Sequence, residues 1–173
     1  MDVFTEQLVR RPSDGKTAAL RMLIMLGTVI LAAACILFML MGFVIVFLLI
    51  FAVIYAGFYL FSGLNVEYEY IITNGEIDID KIIAKRKRKR LITAKPSKFE
   101  RFGKLSDAAD VSGITVVEAK GYSDDDTAED YYIDFQHDSF GAVRLIFTPS
   151  KRTLEAIVPF LPRAVKVEYE KNK

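Results

Sequence analysis

The chain of 173 residues has no tryptophan, one cysteine and one histidine. A single cysteine, Cys35, excludes an intrachain disulfide. With one histidine, His137, the Cys and His spacing of a zinc site cannot be built. The absence with most consequence is local. From Met22 to Val66 there is no Asp, Glu, Lys or Arg; Arg21 closes the run on one side and Glu67 on the other. A spanning helix needs about 20 apolar residues, because a rise of about 1.5 Å per residue must cross about 30 Å of hydrocarbon. At about 45 residues the run is too long for one span and fits two. A domain of this size could not cover so long an apolar helix pair from water.

The expected break is at Met41-Gly42, giving spans of about 22–40 and 44–62 within a membrane segment 22–64. Gly27 and Gly57 are equidistant from Gly42, and Ala33 and Ala52 nearly so; Ala52 and Ala56 form a small-xxx-small pair. Small residues at matched depth allow close helix approach. The expectation is a packed helical hairpin using Gly27, Ala33, Gly42, Ala52, Ala56 and Gly57. Chance is the competing reading, since Gly and Ala are common in membrane helices. Arg10, Arg11, Lys16 and Arg21 precede the first span, a basic stretch follows the second, and the turn is uncharged. The positive-inside rule then puts both termini in the cytoplasm. A signal peptide fits worse, because the run exceeds an ordinary apolar core and stays apolar beyond the LAAAC string ending at Cys35.

Residues 1–21 read as a short cytoplasmic segment. Met1 to Arg11 suggests either a brief amphipathic helix with Val3, Phe4, Leu8 and Val9 on one face, or a tail. DGKT at Asp14–Thr17 lacks the first glycine of a phosphate-binding loop, since Arg10 stands there.

After the spans the period becomes two. Val66, Tyr68, Tyr70 and Ile72 alternate, Asn74-Gly75 signals a tight hairpin, and Ile77 and Ile79 alternate with acids. Further strands are expected at about 114–119, 130–136 and 142–148, with turns at 121–128 and 137–141. Ser150 can cap a helix in which Leu154, Ile157, Val158 and Leu161 repeat. Pro159 and Pro162 end it near residue 160. In the charged tail, Val165, Val167 and Tyr169 alternate as an edge strand would. Residues 65–173 thus read as antiparallel strands forming a small barrel with a C-terminal amphipathic helix. Residues 94–113 fit that pattern poorly.

This order resembles the bacterial pleckstrin-homology-like membrane proteins. The residues carrying the likeness are VEYEYIITNGEIDID, Val66 to Asp80, and the basic segment through Ile92. The whole chain, with its opening MDVFTEQLV and closing LEAIVPFLPRAV, also resembles a small uncharacterised family of two-span proteins from Gram-positive bacteria. The resemblance implies a two-helix transmembrane hairpin followed by a PH-like small barrel, in a bacterial plasma membrane, and points to no particular activity.

Charge is segregated. From Lys81 to Lys104 eleven basic residues face one acid, Glu100; from Leu105 to Asp138 ten acids face one base, Lys120. The core of the basic half is Lys85, Arg86, Lys87, Arg88, Lys89 and Arg90. Such a run near a cytoplasmic leaflet attracts anionic lipid. It also fits a solvated turn, or a face paired with acids of the same domain. Nucleic acid is disfavoured, because Phe99 and Phe102 lie outside the run.

Chemistry has little support. His137 has Asp138 and Asp134 nearby but no evident nucleophile. Asp124, Asp125 and Asp126 lack the spacing of a calcium loop. No catalytic residue, metal or cofactor is assigned. The expected role is binding or scaffolding of an unknown protein partner or a second copy, with anionic lipid contact through Lys85 to Arg90. The alternative is an accessory subunit of a transporter or channel acting through the hairpin.

Overall fold

The computed structural model describes residues 3–122 and 129–171. The acidic triplet Asp124–Asp126 lies outside them. Chain order is β1 (Phe4–Arg10), α1 (Gly15–Leu40), α2 (Val46–Gly63), β2 (Val66–Thr73), β3 (Glu76–Ile83), β4 (Lys87–Ala94), β5 (Phe99–Lys104), β6 (Thr115–Ala119), β7 (Tyr131–His137), β8 (Gly141–Phe147), α3 (Lys151–Ile157) and α4 (Arg163–Lys171). These fall into two compact units. One is helical, Ser13–Val66 with Ile83–Arg86; the remainder is a β domain.

The first correction is at the N-terminus. Residues 4–10 are a strand, not a helix, and β1 pairs antiparallel with β2 from Phe4↔Thr73 to Arg10↔Glu67. The i, i+4 apolar pair Phe4 and Leu8 faces outward, whereas Thr5, Gln7 and Val9 are buried. A buried amide is tolerated when its bonds are made. Gln7 Nε2 donates to the Thr148 carbonyl (3.0 Å), and its Oε1 accepts from Ser150 N (2.8 Å) and Thr153 Oγ1 (2.6 Å). The two apolar helices are therefore an insertion between paired neighbours of one sheet.

That sheet has the order β1-β2-β3-β4, and a second has the order β5-β7-β8-β6. Asn74 and Gly75, with φ of +50° and +80°, make the tight turn between β2 and β3. Tyr70, Ile72, Ile77 and Ile79 from the first sheet and Ile133, Phe135, Val143, Leu145 and Phe147 from the second form the core. Tyr70 and Phe147 meet edge to face at 5.7 Å. The sheets join at one corner, where Arg10 and Tyr122 exchange backbone hydrogen bonds of 2.9 and 2.8 Å.

Three details differ from expectation. The β6–β8 pair is parallel, so the domain is antiparallel except there. Residues 163–171 form α4, not an edge strand; Val165 and Tyr169, spaced i, i+4, are buried while Val167 is exposed. The poorly patterned stretch holds two short 3₁₀ turns, Pro96–Lys98 and Leu105–Asp107, around β5. As expected, α3 is capped by Ser150, whose Oγ accepts from Thr153 N at 3.3 Å, and gives way at Val158–Phe160 to a 3₁₀ turn holding Pro159.

In the helical unit, Asp14 caps α1 through Thr17 N (2.9 Å), and Gly42 turns the chain at φ +96°. The two helices pack against each other.

Candidate interaction surface at the basic turn

The basic run begins in the turn between β3 and β4. Ala84 and Lys85 hold φ of +55° and +56°, and Arg86 N donates to the Ile83 carbonyl at 3.0 Å. This turn belongs to the helical unit. Ala84 N donates to the carbonyl of Asn65 (2.8 Å), two residues beyond the end of α2. Arg86 lays its guanidinium over the Tyr59 ring (4.4 Å to the centroid) and donates from Nη2 to Ser62 Oγ (2.8 Å). Arg21, the last charge before the apolar run, donates to Ser13 Oγ (2.7 Å) and Asn65 Oδ1 (2.9 Å). The polar end of the helical unit thus carries Lys16, Arg21, Lys85 and Arg86 against one acid, Asp14, which serves as the cap.

Within the β domain the arginines of the run have acidic partners. Arg88 Nη2 lies 2.7 Å from Glu69, and its Nη1 is 3.9 Å from Asp80. Arg90 pairs with Asp78 (2.5 Å) and with Asp80. Asp80 is only 4% exposed, so its charge requires a counterion. Arg10 adds a longer contact to Glu67, 3.7 Å. Lys85, Lys87 and Lys89 are exposed and have no ion pair or hydrogen bond among the described residues. Within Lys85–Arg90 the internal pairing is made by the guanidiniums alone, with acids from β2 and β3. Farther along the basic half, Lys98 and Lys104 pair with Asp138 and Glu129 of the acidic half. Glu69, Asp78 and Asp80 could have been found from the sequence, since they share the face opposite Ile77, Ile79 and Tyr70.

The six residues read as hairpin-packing positions separate. Gly57 is buried, and a Cβ there would run into the Thr28 side chain. Gly27 has open space around it, and Gly42 is in the turn. Ala33, Ala52 and Ala56 are exposed on the helical pair. The helix faces least open to the surroundings include Ile24, Gly27, Thr28, Ala32, Cys35 and Met39 on α1 and Val46, Ile50, Val53 and Gly57 on α2. Thr28 gives its hydroxyl proton to the Ile24 carbonyl at 2.7 Å, so its polar atom is satisfied within its own helix. Matched depth in sequence could not identify Thr28 as the partner of Gly57, because rotation about each helix axis is not encoded by counting from the turn.

The histidine region holds a polar cavity of about 300 Å³ lined by Glu76, Lys95, Lys98, His137 and Asp138 among others. Lys98 pairs with Asp138 and holds that carboxyl below the usual carboxylate range. His137 Nδ1 accepts from Ser139 N (3.1 Å), and its ring lies 4.8 Å from Phe140. Asp134 is not a partner of His137. It is buried on β7 and gripped by Arg144 of β8, with Nε–Oδ1 and Nη2–Oδ2 both 2.7 Å. Arg144 also donates to the Ala109 carbonyl (2.8 Å) and stacks over Tyr132 (4.9 Å). This two-pronged pair is a structural clamp between adjacent strands. A base, an orienting acid and a nucleophile do not converge here.

Comparison with known proteins gives one family. The family model described as Bacterial PH-like domain (DUF6106) matches residues 1–167. No curated protein and no solved structure matches the chain.

Proposed function

The chain belongs to this bacterial PH-like domain family, and on that premise we propose that it is a membrane-anchored, non-catalytic interaction module. The hairpin holds the β domain at the cytoplasmic face of the plasma membrane. There the domain binds a protein partner or a second copy, with the basic turn against anionic lipid. The observation that carries this reading is the insertion of two long apolar helices between β1 and β2, which pair along their length. Anchor and sheet share neighbouring strands, so the anchor is part of the domain's own topology and not a tail appended to it. The positive-inside rule, applied to Lys16, Arg21, Lys85 and Arg86, supports a cytoplasmic domain.

The test uses single-cysteine variants of the full chain in which Cys35 is replaced by alanine. Cysteines at the exposed positions Phe140 and Val167 are challenged with an impermeant maleimide. Labelling only after permeabilisation is expected; labelling of intact cells rejects the topology. Photo-crosslinkers at the same positions should then give discrete protein adducts in native membranes. Their absence at every domain position rejects the interaction role.

A second reading has its own observation. Ala33, Ala52 and Ala56 are exposed on the helical pair, where small residues would admit a further membrane helix. The chain would then be an accessory subunit bound through its hairpin. Exchange of the spans for an unrelated hairpin abolishes partner capture under this reading and preserves it under the first.

A further inference from the structure

We propose that the KRKRKR run divides its work by residue type: Arg86, Arg88 and Arg90 hold the fold, and Lys85, Lys87 and Lys89 bind the phosphates of anionic lipid headgroups. The proposal rests on the reading above that the two apolar helices span a membrane.

Every guanidinium of the run is engaged. Arg86 is held by Tyr59 and Ser62, Arg88 by Glu69 and Asp80, and Arg90 by Asp78, Asp80 and, at 3.4 Å, Thr93. No lysine of the run is engaged among the described residues. Strand alternation explains the separation, since residues two apart share a side. Lys87 and Lys89 therefore face away from the acid-bound side that Arg88 and Arg90 occupy. Chemistry reinforces it. The planar guanidinium fork suits fixed carboxylates and an aromatic face, whereas the ammonium is a hydrated point charge on a flexible stem, suited to a fluid layer of phosphates.

Position selects the ligand. Lys85 is in the same compact unit as α1 and α2, next to the Ala84 amide that is bonded to Asn65 just past the end of α2. Where the apolar run gives way to charge is where headgroups lie, and Arg21 marks the same boundary on α1. The one acid in that unit, Asp14, is committed to the cap of α1. The free charge at this boundary is therefore positive and complements an anionic leaflet.

The test is lysine footprinting of the full chain in nanodiscs. One set is phosphatidylcholine alone; the other adds phosphatidylglycerol. A water-soluble amine reagent is applied, and modification rates at each lysine are read by mass spectrometry. Lys85, Lys87 and Lys89 should react several-fold more slowly in the anionic discs, on the order of five-fold if each contributes the usual free energy of a basic residue at an anionic surface. Lys151, exposed on α3, serves as the reference. Raised salt should erase the protection. Equal rates in both discs, with the protein still embedded after an alkaline wash, overturn the proposal and leave the spanning reading intact. Loss of the protein in that wash overturns both. Protection by an added oligonucleotide in neutral discs, without protection by anionic lipid, overturns it in favour of nucleic acid. A triple variant, Lys85→Gln, Lys87→Gln, Lys89→Gln, should keep the wild-type melting temperature and retain fewer phosphatidylglycerol molecules by native mass spectrometry. An unchanged lipid count would contradict the assignment.

Discussion

At the scale of single residues, the β domain depends on polar groups that are buried in pairs. Asp134 and Arg144 are 6% and 8% exposed in their side chains. Removal of one member strands the other charge, so Asp134→Ala should cost about 3–5 kcal/mol in urea unfolding. A double change to residues of similar volume, Asp134→Leu with Arg144→Met, should recover much of that loss, because a well-packed apolar pair replaces a desolvated one. Tyr70 is the second case. Its hydroxyl donates to the Ala119 carbonyl and accepts from Thr148 N at 3.2 Å, and burial pushes its ionisation well above the ordinary tyrosine value. Above about pH 10 the unfolded chain loses this proton while the folded chain keeps it. The unfolded state then binds fewer protons, so stability falls as pH rises, by about 1.4 kcal/mol per pH unit from this group. Alkaline unfolding of Tyr70→Phe should show a shallower pH slope. At neutral pH the same change should cost about 1–3 kcal/mol, since it leaves two backbone groups unanswered.

At the scale of elements, what could be read from the sequence followed local signals. The two apolar helices, the Asn74-Gly75 hairpin, the strands through Tyr70, Ile133 and Leu145, and the Ser150 cap all announce themselves within a few residues. β1 did not, because its meaning depends on β2, more than fifty residues away across the helices. Its pattern is also inverted, with Gln7 inward and Leu8 outward, and only the distant partners Thr148, Ser150 and Thr153 make that favourable. α4 is ambiguous in the sequence because Val165, Val167 and Tyr169 satisfy a period of two, while Val165 and Tyr169 also satisfy a period of four. For the basic run, sequence identified the stretch, but which residues are free depends on the pairing of β2, β3 and β4.

The helix seam gives a prediction at this scale. Gly57→Leu should push α1 and α2 apart at Thr28 and destabilise the pair by about 1–3 kcal/mol in detergent, followed by circular dichroism. Ala52→Leu and Ala56→Leu, on exposed positions, should leave that transition unchanged. Thr28→Ala should partly rescue Gly57→Ala. Equal effects at Gly57 and Ala52 would contradict the seam described here.

At the scale of the whole molecule, the chain enters the sheet, leaves it for the helices and returns beside its own first strand. Residues 66–171 alone are therefore an incomplete domain. They lack β1, and with it the Gln7 bonds to Thr148, Ser150 and Thr153 and the Arg10–Tyr122 corner. The register Arg10↔Glu67 brings the two ends of the insertion close enough for a tight turn to replace it.

The most direct measurement replaces residues 13–65 with a short Asn-Gly turn and compares the product, by urea unfolding and size exclusion without detergent, with residues 66–171 alone. The expected result is a soluble, cooperatively unfolding β domain from the joined chain, and an unstable or aggregating one from the fragment without β1. An insoluble or non-cooperative joined chain would show that the helices are part of the fold and not its anchor. Equal stability of the two proteins would contradict the role given to β1.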